Sequence, residues 1–341
     1  MIAFFALPMT LALLLLVGQK TPSADVPRQP KFLLAWGENG SGPGQFRSPI
    51  GIAINGADEV YVTDVNNARV QKFTADGRYL AGFDLPRDRP DRRTTMAGGI
   101  VADAESVFVS LMQQDKVALY RDDGTLVREF GRRGTRNGEL HGPGGMVLAP
   151  DRTLYVADQQ NHRVQRFTLD GKFVGAWGQH GSGAGEFGGG EPAGSRFGGP
   201  HFLARDRDGR IYTTEGTLGR VQRFTAEGLP LAAWGDKGDQ PGGFGAYTLF
   251  RGSSFGPIAL LVDAQGRVLV SSLNARVQWF TPEGKYLFGL DSRGNGPGEF
   301  WRPHGLALDS RGHLYVADSG NQRIQKFAVP DGDAQPSSTR P

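Results

Sequence analysis

The sequence predicts an all-β protein, a six-bladed β-propeller, on three observations. A unit of about 47 residues recurs six times along the chain. Each unit holds four short apolar runs separated by Gly, Asp and Asn turns. The last unit lacks its fourth run, and a matching run stands near the start of the chain.

The repeat comes first. Residues 49–83, PIGIAINGADEVYVTDVNNARVQKFTADGRYLAGF, recur at 143–178, at 200–235 and, shortened, at 303–327; looser copies start near Ala97 and Pro257. The basic residue opening each RVQ-like run falls at Arg69, Lys116, Arg163, Arg220, Arg276 and Arg323, giving spacings of 47, 47, 57, 56 and 47 residues. That period, with four strands per unit, is the pattern of propeller blades.

The runs read as strands A to D of a blade. They are four to six residues long and rich in Val, Tyr, Phe, Leu and Ile, as strands are. In RVQKF, Val70 and Phe73 lie three apart and face opposite sides of a strand. Both faces of each sheet are therefore apolar, as packing between two neighbouring blades requires. The TADGR, TLDGK and TPEGK segments place Gly where a C-to-D hairpin needs positive φ. Beyond residue 18 no long 3.6-residue periodicity bounded by caps occurs, so helix is expected to be absent.

The closing strand is predicted from the ends. The sixth unit stops at RIQKFAV, whereas KFLLAWG at 31–37 resembles the fourth-strand segments FVGAWG and LPLAAWG. The N-terminal strand is expected to complete the last blade and leave no open edge.

The remaining segments flank the ring. Residues 2–18, IAFFALPMTLALLLLVG, carry no charge and precede a polar stretch. This reads as a signal peptide over 1–24, cut after Ala24, and implies a secreted or periplasmic protein. The alternative is an uncleaved membrane anchor formed by residues 2–18, since seventeen residues reach the lower edge of a span. No Lys or Arg precedes the run, while Lys20, Arg28 and Lys31 follow it. Residues 25–30 read as a linker, 31–330 as the propeller and 331–341, DGDAQPSSTRP, as a disordered tail.

Composition narrows the function classes. Gly is 51 of 341 residues, about twice the usual ~7 %, which suits a chain dense in tight turns. The 38 basic and 35 acidic residues leave a net charge of +3 with no run of five like charges, so nucleic acid is not an expected partner. Cysteine is absent. Disulfides, thiolate metal sites and cysteine nucleophiles are excluded.

The repeat core, P-x-G followed by YV-x-D-x-x-N-x-R-[VI]-Q-[KR]-F, resembles the NHL repeat family over residues 32–327. The resemblance implies a propeller and a range of functions. That family includes RNA-binding and protein-binding propellers and peptidyl-α-hydroxyglycine amidating lyases. A shared fold does not choose among them.

Two sets of residues are candidates for a site. The position after the Pro that opens strand A is read as Ile50, Ala97, Gly144, His201, Ile258 and His304, beside the central channel on the face that carries the D-to-A crossovers. His201 and His304, two blades apart, are placed to approach a common axial ligand, and three histidines with an open position form an established zinc site. The amidating lyases, by resemblance, hold zinc in the channel through such histidines. His201 and His304 match two of those positions, and the third is Ala97 here, so zinc would need Glu191, Glu215 or His162 as a substitute.

The second set lies in the long crossovers, 179–199 and 236–256, where Glu191, Arg196, Tyr247 and Arg251 could hold a polar ligand. The Asp64, Asp158 and Asp318 carboxylates, with Asn67, Asn161 and Asn321 and then Arg69, Arg163 and Arg323 at fixed offsets, read as blade fasteners. GSSFG at 252–256 has no strand-to-helix elbow and is set aside as a nucleophile motif. His180 and His313 are expected on loops without partners. The leading expectation is an exported, non-catalytic propeller that binds a peptide, glycan or protein partner on its crossover face. The alternative is a metal-dependent lyase or hydrolase of the amidating-lyase type using His201 and His304.

Overall fold

Four-residue-wide turns and short apolar runs leave the backbone one economical solution, a series of antiparallel four-stranded sheets. In the computed structural model, blade 1 comprises Pro49–Ile54, Val60–Asp64, Arg69–Phe73 and Tyr79–Asp84, hydrogen-bonded in chain order from the axis outward. Blades 2 to 5 repeat this plan, with innermost strands Ile100–Ala102, Pro143–Leu148, Leu203–Arg205 and Pro257–Val262. The structure describes residues 29–87, 95–189, 198–245, 247–250 and 253–330. The leader, most of the linker and the tail read from the sequence lie outside these residues.

The sixth sheet contains Pro303–Leu308, His313–Asp318 and Arg323–Ala328, and its outermost strand is Lys31–Trp36. Lys31 pairs with Ala328 and Trp36 with Ile324, antiparallel. Phe32 and Phe327 meet edge to face, their ring centroids 5.9 Å apart. One sheet thus joins the two ends of the described chain.

Sheets with two apolar faces bury both. Val70 packs with Val107, Val109 and Leu111 of blade 2, while Phe73 packs with Tyr315, Ala317 and Ile324 of blade 6. One such apolar layer separates every adjacent pair of blades. Each fully buried aromatic contributes about 1.5–3 kcal/mol relative to exposure. Outer-strand aromatics extend the layers: Trp177 of blade 3 lies so close over Gly228, in the C-to-D turn of blade 4, that a Cβ there would stand 2.2 Å from the indole. Gly228 also has φ +92°. Glycine is required at that turn for both reasons.

Among the described residues the only helical segments are four three-residue 3-10 turns, Val65–Asn67, Met112–Gln114, Gln159–Asn161 and Ser319–Asn321. They connect second to third strands on the crossover face. None is long and apolar enough to cross a membrane. His313 is not on a loop: it opens the strand His313–Asp318, and its Nδ1 stands 2.9 Å from Asp309.

Candidate functional site

The innermost strands converge on the axis, and their first residues set how closely the blades approach. Gly99 and Gly144 come so near that a Cβ on Gly99 would lie 2.2 Å from the Gly144 carbonyl oxygen. Gly51 stands likewise against the Gly98 carbonyl, and Gly305 against that of Ile50. Blades 4 and 5 carry Phe202 and Ala259 at this level instead.

A hydroxyl on the second strand ties these backbones together. The amides of Gly51, Gly99, Phe202 and Ala259 donate to Thr63 Oγ1, Ser110 Oγ, Thr214 Oγ1 and Ser271 Oγ. Thr214 donates onward to the Ile258 carbonyl, and Ser271 to that of His304 at 2.6 Å, each in the next blade. Blade 3 has Ala157 at this level, and the Gly145 amide reaches the His201 carbonyl of blade 4 directly, at 2.7 Å. Sequence reading missed these staples.

The same register corrects one assignment. Gly99 in blade 2 holds the place of Gly51, so the axial position beside His201 and His304 is Gly98. Ala97 is buried one residue earlier.

Where the strands open onto the crossover face they enclose a cavity of about 260 Å³. Ile50, Val65, Met96, Met112, Ile258 and Leu273 give it apolar walls, and Phe202 lies at its base, shared with the lower channel. His201 and His304 both line it, with Gln159 and Arg302. The two histidines of the sequence reading therefore share one chamber.

His304 is nine-tenths buried. Its Nδ1 lies 2.8 Å from the Arg302 carbonyl oxygen, which can only accept, so the proton sits on Nδ1 and Nε2 keeps its lone pair. Burial, aided by the Arg302 charge and only partly opposed by that hydrogen bond, pushes its pKa down to about 4. It is neutral at physiological pH. Gln159, also buried, has an Oε1 with no hydrogen-bond partner. Its Nε2 donates to the His201 carbonyl at 3.4 Å. The chamber thus offers two acceptors, His304 Nε2 and Gln159 Oε1, within apolar walls.

Within the described residues the chamber supplies two of the three donors that a three-ligand zinc centre needs. Among the described residues no three His, Asp or Glu side chains are grouped so as to hold a metal ion. Of the substitutes considered, Glu215 is engaged by Arg220 at 2.6 Å and by the Gly188 amide. His162 caps the Gln159–Asn161 turn, approaches the Gly198 carbonyl at 3.2 Å and packs edge to face on His180, 4.6 Å between centroids. Neither lines the chamber. Glu191, Arg196 and Arg251 lie outside the described residues. The backbone of Tyr247 pairs with that of Phe255 in a hairpin formed by Tyr247–Phe250 and Ser253–Phe255.

The periodic carboxylates form a lock on the crossovers. Asp158 accepts from the His141 amide at 2.7 Å, from Asn161 and Arg163 at 2.8 Å and from Gln165 at 2.9 Å. Asn161 reaches the Gly134 carbonyl, Arg163 those of Arg136 and Glu139, and Gln165 that of Glu139. Asp64 and Asp318 repeat the arrangement in blades 1 and 6. Glu215 replaces the aspartate in blade 4, and blade 2 has Leu111 there. Burial pushes all four carboxyls up, against the hydrogen bonds and arginine charges that favour ionisation.

Fold and lock together define a six-bladed propeller, three of whose repeats match the NHL repeat. The family model for the NHL repeat matches residues 46–73, 140–167 and 300–327, the three stretches that contain the full Asp–Asn–Arg–Gln lock. The chain is 34% identical over 143 residues to peptidyl-glycine alpha-amidating monooxygenase B of Xenopus laevis, covering 39% of this chain and 16% of that protein. It is 35% identical over 81 residues to NHL repeat-containing protein 3 of Homo sapiens, covering 23% of each. The chain spans less than a quarter of the length of the curated relatives it matches. Virginiamycin B lyase from Staphylococcus aureus superposes with a TM-score of 0.53 at 16% identity, over 83% of this chain and 95% of that one. That likeness is one of fold.

Proposed function

We propose that the protein is an exported binding propeller whose chamber on the crossover face takes a peptide segment of a protein partner. The single observation that carries this reading is the pairing of apolar walls with two buried acceptors, His304 Nε2 and Gln159 Oε1. An apolar side chain fills such a chamber, and N–H or O–H donors satisfy acceptors that are otherwise costly to bury. A peptide supplies both in one chain. The apolar residues 2–18 support action outside the cytoplasm.

The metal-dependent alternative needs a third donor beside His201 and His304, and the described residues supply none. Selection of a displayed random peptide library on the purified protein tests the binding reading. Enriched peptides should share an apolar anchor and lose about tenfold or more in affinity on Gln159→Leu, the scale of a lost buried hydrogen bond. They should fail to bind Ile258→Trp, which fills the chamber. Peptides indifferent to both changes, or none enriched, would defeat it. Enrichment of glycans alone on an oligosaccharide array would replace the peptide with a sugar.

A further inference from the structure

The face opposite the crossovers carries the turns that end the innermost strands. Those of blades 4, 5 and 6, residues 206–209, 263–266 and 309–312, border a cleft of about 440 Å³. Arg205 and Val262 line both this cleft and the lower channel, so the two are continuous.

Charge in the cleft is unevenly satisfied. Its carboxylates are engaged within their own blades. Asp206 accepts from Tyr212 at 3.1 Å and pairs with Arg210, and Asp263 pairs with Arg267 at 2.6 Å. Asp309 takes His313, Tyr315 and Lys326 at 2.9–3.1 Å. Arg205, Arg207 and Arg311 also line the cleft, yet their guanidinium groups have no hydrogen-bond or ion-pair partner among the described residues. Arg207 and Arg311 are exposed and Arg205 half-buried. The acids of the neighbouring blades do not quench them: Asp58 is spent on the amide and hydroxyl of Ser310, and Asp103 on the amides of Glu105 and Ser106.

Three unquenched guanidinium groups on one concave, low-dielectric wall focus positive potential into it. Each is a planar fork of donors suited to oxyanions. A single carboxylate can satisfy one such fork, whereas a tetrahedral dianion offers oxygens in several directions. We propose that this cleft binds a multiply charged phosphate, a phosphate monoester or a diphosphate, independently of the chamber on the opposite face.

The test uses the protein with inorganic pyrophosphate as the free probe, and phosphatidic acid or phosphatidylcholine vesicles as the surface probe, at low ionic strength. Calorimetry should give saturable pyrophosphate binding that weakens about tenfold or more in Arg205→Gln/Arg207→Gln/Arg311→Gln, the loss expected of a charge-assisted contact. Changing Arg78, Arg121 and Arg128 to Gln together should leave it intact. Retention on the anionic vesicles alone, abolished by the cleft variant, would also support the site and assign the ester to a lipid headgroup. Binding of neither probe, or binding that the folded cleft variant keeps, would overturn the proposal. Circular dichroism and the unfolding midpoint establish that the variant is folded.

Discussion

Arg163 meets Asp158 at 2.8 Å across a three-residue turn, and the carboxylate it meets is fully buried. The same guanidinium donates to the Arg136 and Glu139 carbonyls of the preceding crossover. One side chain therefore neutralises an interior acid and fixes a loop that the ladder hydrogen bonds do not reach.

Truncating Arg163 to Ala leaves Asp158 buried without its counter-charge. The expected cost is about 3–5 kcal/mol, as for other broken buried pairs. Urea unfolding followed by tryptophan fluorescence measures it; a loss below about 1 kcal/mol would contradict the lock.

The axial glycines are expected to resist enlargement. Gly99→Ala forces a Cβ to 2.2 Å from the Gly144 carbonyl and 2.8 Å from Ser110 Oγ, and overpacking of this kind costs about 1–3 kcal/mol. Gly175, on an outer strand with open space around it, should accept Ala without loss. Thermal midpoints of the two variants, compared side by side, check the contrast.

Ser271→Ala removes both halves of an interblade staple. The Ala259 amide and the His304 carbonyl each lose a buried partner, a cost of about 1–3 kcal/mol per unsatisfied group. Hydrogen exchange should show faster amide exchange at the start of the innermost strand of blade 5, with the outer strands unchanged.

Acidification should weaken the fold through His304. Its folded pKa of about 4 lies below the unfolded value of about 6.5. Between these values the unfolded chain binds the extra proton and the folded one does not, so stability is complete above about pH 6.5 and is lost as pH falls through about 4. Histidine-to-glutamine substitution at 304 should flatten that limb. Denaturant midpoints measured from pH 7 to pH 4 in both proteins decide it, and identical slopes would remove His304 from the account.

Much of the architecture was legible because it is periodic. Strand number, turn glycines and the Asp–Asn–Arg lock repeat, so each copy reports on the others. What recurs only partly was harder to read. Blade 2 lacks the opening proline and the lock, which hid the one-residue difference between Ala97 and Gly98. The staples at Thr63, Ser110, Thr214 and Ser271 were overlooked because Ala157 and Ala317 interrupt the series. Gln159 occupies a place held by Val65, Met112 and Leu273 in other blades. That polar exception was a usable signal. The arginine cleft had none, since its members come from unrelated turn positions and only the ring brings them together.

The pairing of Lys31 with Ala328 sets an order of events during synthesis. The first strand leaves the ribosome almost three hundred residues before its only neighbour exists, so it waits as a bare edge while five sheets form behind it. Contacts so distant along the chain are slow to find, and a waiting edge is a template for the wrong partner. Chaperone demand during biogenesis should therefore concentrate on the opening segment, however stable the finished ring proves to be.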